Sequence, residues 1–160
     1  KRERMTKLRT ELTPEVLVKA DAGRGRVLFN TACAACHRLH GHGGDAGPDL
    51  TGGGRDNLDY LLENLVDPSG VVSADFKMTV AGLKDGRVLN GIVAEQNNRT
   101  LTLKTMNGMV TVEKTEVNEL QASNLSLMPE GLLDPLSLEQ IRDLIAYLMN
   151  PAQVPLPGAP

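Results

Sequence analysis

Tryptophan is absent from this 160-residue chain, and phenylalanine and tyrosine occur only twice each. A core of this size normally relies on aromatic side chains that bury roughly 150–250 Å² apiece, so some other large apolar body is expected inside it. Cysteine is scarce as well, with Cys33 and Cys36 the two present. That excludes a scaffold stapled by several disulfides. No charge of one sign dominates: 17 Lys and Arg stand against 20 Asp and Glu, a formal net charge of −3. Such a balance gives no general attraction for nucleic acid or anionic lipid. Nor does any apolar run approach the roughly 20 residues needed to cross a bilayer, so this segment is not expected to insert into a membrane.

What is present centres on Cys33-Ala34-Ala35-Cys36-His37. C-x-x-C-H is the attachment spacing of a c-type haem: two thiols for thioether bonds to the vinyl groups, and a histidine placed to reach the iron from the same side. One covalently bound haem c would also supply the missing apolar body. A thioredoxin-type redox pair would expect a strand-to-helix context around the cysteines. Half of a zinc site would need two further ligands, for which His40 and His42 stand near on paper. The zinc reading gives no role to Pro48 or to the pair Met128-Pro129.

Around this motif the chain reads mainly as helix. Residues 1–23 form a basic, helical linker, with Thr13-Pro14-Glu15 as a helix start. A helix over 25–31 delivers the chain to the cysteines, a Gly-rich loop follows His37, and Leu58, Leu61, Leu62, Leu65 and Val66 fall at helical spacing. From 73 to 121, β-formers are separated by the turn signals Asp85-Gly86, Asn97-Asn98 and Asn107-Gly108, which reads as an inserted β-meander or barrel-like lobe ending in a strand near 116–121. Ser137 caps a last helix bearing an apolar stripe of Ile141, Leu144, Ile145 and Leu148. Residues 151–160 read as a Pro-rich tail with no fold of its own.

Gly25, Phe29 and Cys33, each four residues apart, resemble the first helix of class I cytochromes c, whose small residue permits close crossing of the final helix. Gly47-Pro48-Asp49-Leu50 resembles the family's loop, and Leu127-Met128-Pro129 its distal segment. The resemblance implies a mainly α fold, with a cytochrome c domain from 24–72 and 122–150. It implies haem contacts from Cys33, Cys36, His37, Pro48, Leu50, Arg55 and Met128: the Pro48 carbonyl on the His37 ring, Leu50 lining the haem, Arg55 at a propionate, and His37 and Met128 as the iron ligands. The two blocks further resemble C-terminal haem-binding domains of planctomycete and verrucomicrobial multidomain proteins, in which the domain commonly follows a dehydrogenase-like propeller or helical repeats.

The function this implies is electron transfer, with a redox protein or a fused dehydrogenase as partner and no catalytic residues of the chain's own. Haem c attachment implies periplasmic or otherwise extracytoplasmic residence. The alternative is a haem sensor, ligand-binding or peroxidase-like domain with a displaceable distal ligand.

Overall fold

The computed structural model describes residues 1–158, which fall into two compact units. One comprises Lys1–Asp67 together with the chain from Glu130 onward; the other is Pro68–Pro129.

The first unit is built on α1 (Arg2–Glu11), α2 (Pro14–Leu17), α3 (Ala22–Ala32), α4 (Leu58–Val66) and α6 (Leu138–Met149), with a two-strand ladder of β1 (Arg38–Leu39) and β2 (His42–Gly43). Helices α3, α4 and α6 each begin where a side chain satisfies an amide that the helix itself leaves free. Asp21 accepts from Arg24 N, Asn57 accepts from Tyr60 N, and Ser137 and Gln140 form a reciprocal capping box. The central contact is α3 against α6. A Cβ on Gly25 would lie 2.6 Å from the Asp143 carbonyl carbon and 2.7 Å from Tyr147 Cβ, so the crossing requires glycine. One turn on, the Phe29 and Tyr147 rings meet with centroids 5.5 Å apart. Leu61, Leu62, Leu65, Leu133, Ile141, Leu144, Ile145 and Leu148 complete the core.

The basic N-terminal stretch is a docked helix. Leu8 and Leu12 are buried, while Lys1 pairs with Asp67 and Glu130, Arg4 with Asp134, and Arg9 with Asp59 at 2.6 Å. The leucines account for most of the anchoring, because ion pairs this exposed are screened by solvent and add little. The Pro-rich C-terminal stretch is also held: Tyr147 Oη donates to Gln153 Oε1 at 2.9 Å, and Arg26 donates to the Val154 carbonyl at 2.5 Å.

The second unit holds α5 (Pro68–Val71) and five strands: β3 (Lys77–Leu83), β4 (Val88–Gln96), β5 (Thr100–Thr105), β6 (Gly108–Glu113) and β7 (Val117–Ser126). The sheet is antiparallel in the order β6-β5-β4-β3-β7. Gly86 and Gly108 adopt φ of +90° and +112° at two of the hairpins, and Asn97 Oδ1 accepts from Arg99 N and Thr100 N at the third. The last strand does not continue the meander. A 3-10 turn at Lys114–Glu116, closed by its own capping box, redirects the chain so that β7 pairs with β3. Ala81, Leu83, Leu101, Leu103 and Val112 give the sheet its own core.

The expectation of a mainly α fold is therefore corrected. The described residues are 35% helix and 27% strand, with a five-stranded antiparallel sheet. The reason is physical. Period-2 burial along β5, with Leu101, Leu103 and Thr105 inward, makes the inserted segment a hydrophobically cored sheet in its own right.

Candidate functional site

Helix α3 ends at Ala32, and Cys33 occupies its C-cap, its amide still bonded to the Phe29 carbonyl at 2.8 Å. The chain then tightens into one turn, in which Cys36 N and His37 N both donate to the Cys33 carbonyl, at 3.0 and 2.9 Å. Both thiols and the imidazole thus leave a single turn at the end of a rigid helix.

The glycine-rich loop folds back onto that turn. Gly44 N donates to the Ala34 carbonyl and Gly47 N to the Cys36 carbonyl, both at 2.7 Å. Side chains at Gly43 and Gly44 would collide with the carbonyls of His37 and Ala35. At Gly47 a Cβ would lie 2.6 Å from His37 Cε1 and 2.9 Å from Nδ1, so the loop backbone rests directly on the imidazole. His37 Nδ1 donates to the Pro48 carbonyl at 2.9 Å. This fixes the tautomer that leaves Nε2 as the basic nitrogen, the arrangement that orients a metal-ligating histidine and raises its basicity.

Cys33 and Cys36 are half-buried and form no disulfide. Burial, reinforced by the neighbouring Cys36, pushes the Cys33 thiol up to about 11. A dithiol redox centre needs the opposite shift, toward a stable thiolate. Nor do three residues of His, Cys, Asp or Glu gather among the described residues to hold a metal ion, so the zinc alternative has no ligand set. Two thiols and one oriented imidazole on one turn, cradled by backbone, suit covalent haem attachment.

The remaining sequence-derived positions divide between the units. Leu50 is half-buried, its amide donating to the Arg38 carbonyl at 2.8 Å. Arg55 gives Nη1 to the carbonyls of Leu148 and Asn150 at 2.6 and 2.7 Å and Nη2 to the Thr51 carbonyl at 3.0 Å. Its Nε is buried without a partner. Met128 is half-buried in the second unit, its amide donating to Ser126 Oγ at 3.1 Å, two residues before the chain re-enters the first unit at Glu130. Sequence reasoning overlooked Gly47 as an imidazole support and the pairing of His40 with Tyr147, whose rings meet edge to face at 6.4 Å. The Gly47-Pro48 dipeptide, ten residues after His37, was the available signal for the first.

A helical unit in which α3 and α6 cross at a glycine, with C-x-x-C-H at the end of α3, fits a covalent haem-binding protein. The family model for cytochrome c matches residues 22–151, and the chain belongs to the cytochrome c family. No curated protein matches it. Its cofactor is covalently bound haem c with its iron, and the domain is a haem-binding electron-transfer domain.

Proposed function

We propose that the chain is a single-haem electron carrier in which Cys33 and Cys36 form the thioethers, His37 is the proximal ligand and Met128 the distal one. The observation that carries this reading is the 2.9 Å bond from His37 Nδ1 to the Pro48 carbonyl, with Gly47 pressed on the ring. Bound haem supplies an iron that cycles between two oxidation states. The chain's residues determine how it does so. Pro48 and Gly47 hold the imidazole still, which limits rearrangement when the charge changes; the half-buried turn limits water near His37; Leu50 would line the haem. Held by His37 and Met128 together, the iron would have a raised potential and would favour outer-sphere transfer over chemistry at the metal.

The electron donor is a redox protein or a dehydrogenase fused to this domain, in an extracytoplasmic setting. The motifs Gly-Pro-Asp-Leu-Thr-Gly, Leu-Val-Asp-Pro-Ser and Leu-Met-Pro-Glu-Gly support a relationship to the haem domains of planctomycete and verrucomicrobial multidomain proteins. That likeness supports fusion. No helix among the described residues is long and apolar enough to cross a membrane.

Two measurements on the holoprotein test the reading. Mass spectrometry after denaturation should find one haem still attached, and its loss would exclude the thioethers. The ferric spectrum should be low-spin with the weak red charge-transfer band of methionine ligation. A high-spin spectrum would instead favour a displaceable distal ligand and the sensor or peroxidase-like alternative.

A further inference from the structure

His40 is the one non-glycine residue among those described with a left-handed backbone, at φ +51°. That conformation is uncommon outside glycine and is retained only where the surroundings fix it. Three contacts do so. The His40 amide donates to Thr51 Oγ1 at 3.0 Å, its ring stands edge-on to Tyr147, and it lies beside Arg55 and the Asn150 carbonyl. Arg55 in turn bonds the carbonyls of Thr51, Leu148 and Asn150. The two side chains therefore clasp both ends of the loop 38–55 to the C-terminal end of α6. Pro48, whose carbonyl receives the His37 ring, lies within that loop. His40 Nε2 and Arg55 Nε, one from each half of the clasp, are buried and unpartnered.

We propose that His40 is a proton-operated catch on this clasp and, through it, a positioning residue for the His37 imidazole. The inference rests on the reading of His37 as the haem ligand. The groups facing His40 are the Arg55 guanidinium from its own loop, the Tyr147 ring from α6, the Asn150 carbonyl just past the end of α6, and the Thr51 hydroxyl at its backbone. The carbonyl end of a helix favours a cation, but Arg55 already bonds it. Burial, then the Arg55 charge, hold the His40 ring below its ordinary value, against the opposing pull of the Asn150 carbonyl. Protonated His40 is a second cation competing for one carbonyl. Arg55 then loses part of its hold on Asn150, the loop relaxes, and the Pro48 carbonyl moves relative to Nδ1 of His37. A weaker Nδ1–H bond makes the ligand less basic and raises the reduction potential.

The test is potentiometric titration of the holoprotein from neutral to mildly acidic pH, for wild type, His40→Asn and His42→Gln. Asparagine tolerates the left-handed backbone and does not titrate in this range. Wild type should show a one-proton upward step in potential centred below 6.5, the ordinary histidine value. His40→Asn should lack the step, and His42→Gln, altering an exposed residue, should keep it. A flat wild-type profile overturns the proposal, as does a step that survives in His40→Asn, which would belong to the haem propionates. If His40→Asn does not fold, NMR titration of the wild-type His40 ring decides: a pKa at or above 6.5 refutes the catch. Failure of the underlying ligand assignment is separately visible, because His37→Ala would then keep the low-spin spectrum.

Discussion

Arg24 Nε lies 2.7 Å from Asp143 Oδ2 and joins α3 to α6 through a carboxylate that is 2% exposed. The same carboxylate accepts from the Asp21 amide at 2.9 Å and from Arg142 Nη2 at 3.0 Å. One buried anion thus ties the N-terminus of α3 to the middle of α6, one residue from the Gly25 crossing. Asp143→Ala strands these donors and should cost about 2–3 kcal/mol, below the full penalty for a wholly buried pair because Arg24 is half exposed and can rehydrate. Urea denaturation of the holoprotein measures it; a change within error of zero would show that the pair is dispensable.

The same group gives a pH dependence with a definite sign. Burial alone would raise the Asp143 carboxyl, but Arg24, the Asp21 amide and Arg142 outweigh it and hold the group below its ordinary value of 3.8. A depressed native value means that the stabilisation is complete above the unfolded carboxylate pKa and is lost as pH falls from there through the native value. Thermal denaturation should therefore show wild type losing stability below about pH 4 more steeply than Asp143→Asn. Parallel curves would contradict the assignment.

Gly25→Ala places a methyl group against the α6 backbone, which cannot swing aside as a side chain would. Overpacking of this kind costs about 1–3 kcal/mol. For a chain this long, each kcal/mol corresponds to a Tm loss of about 2–4 °C. An unchanged Tm would mean that α6 shifts freely.

Gly47→Ala should act on the spectrum more than on stability, because its methyl group would displace the His37 ring from the Pro48 carbonyl. Pro48→Ala is the matched control, since the acceptor there is the backbone. Absorption spectra of the reduced and oxidised holoproteins should change for the first and stay close to wild type for the second. Equal effects would place the ring's support elsewhere.

Met128→Ala should open a coordination position to carbon monoxide, whereas Met106→Ala and Met109→Ala, at residues 57% and 58% exposed, should not. Carbon monoxide binding only in a variant of the latter pair would overturn the proposed distal ligand.

The parts legible in the sequence were those encoded locally. C-x-x-C-H, the Gly25-Phe29 spacing and Gly47-Pro48 each describe chemistry within a turn or two of chain, and the structure puts Gly25 against α6 and the Pro48 carbonyl on His37. Arg55 was harder, because its acceptors Leu148 and Asn150 are backbone carbonyls, which carry no side-chain signature. Leu8 and Leu12 were hidden among the cations of α1, where charge outweighs two apolar positions. The share of sheet was underestimated because the helical motifs carried the family resemblance, while the pairing of β7 with β3 depends on a turn with no Gly or Pro.

Ser69 Oγ accepts from Ser126 N at 3.2 Å, joining the two ends of the second unit across 57 residues of sequence. This bears on the order in which the protein folds. The Arg24–Asp143 contact closes a loop 119 residues apart. With the sheet already folded and its ends pinned, the disordered loop is roughly halved, which lowers the entropic cost of closure by about 0.6 kcal/mol. The larger gain is kinetic: hairpins of low sequence separation form early, and the terminal helices then search over a shortened chain. During synthesis the cysteines emerge first, the sheet next and α6 last, so a chain interrupted before α6 has the haem motif and a complete sheet but no partner for Gly25.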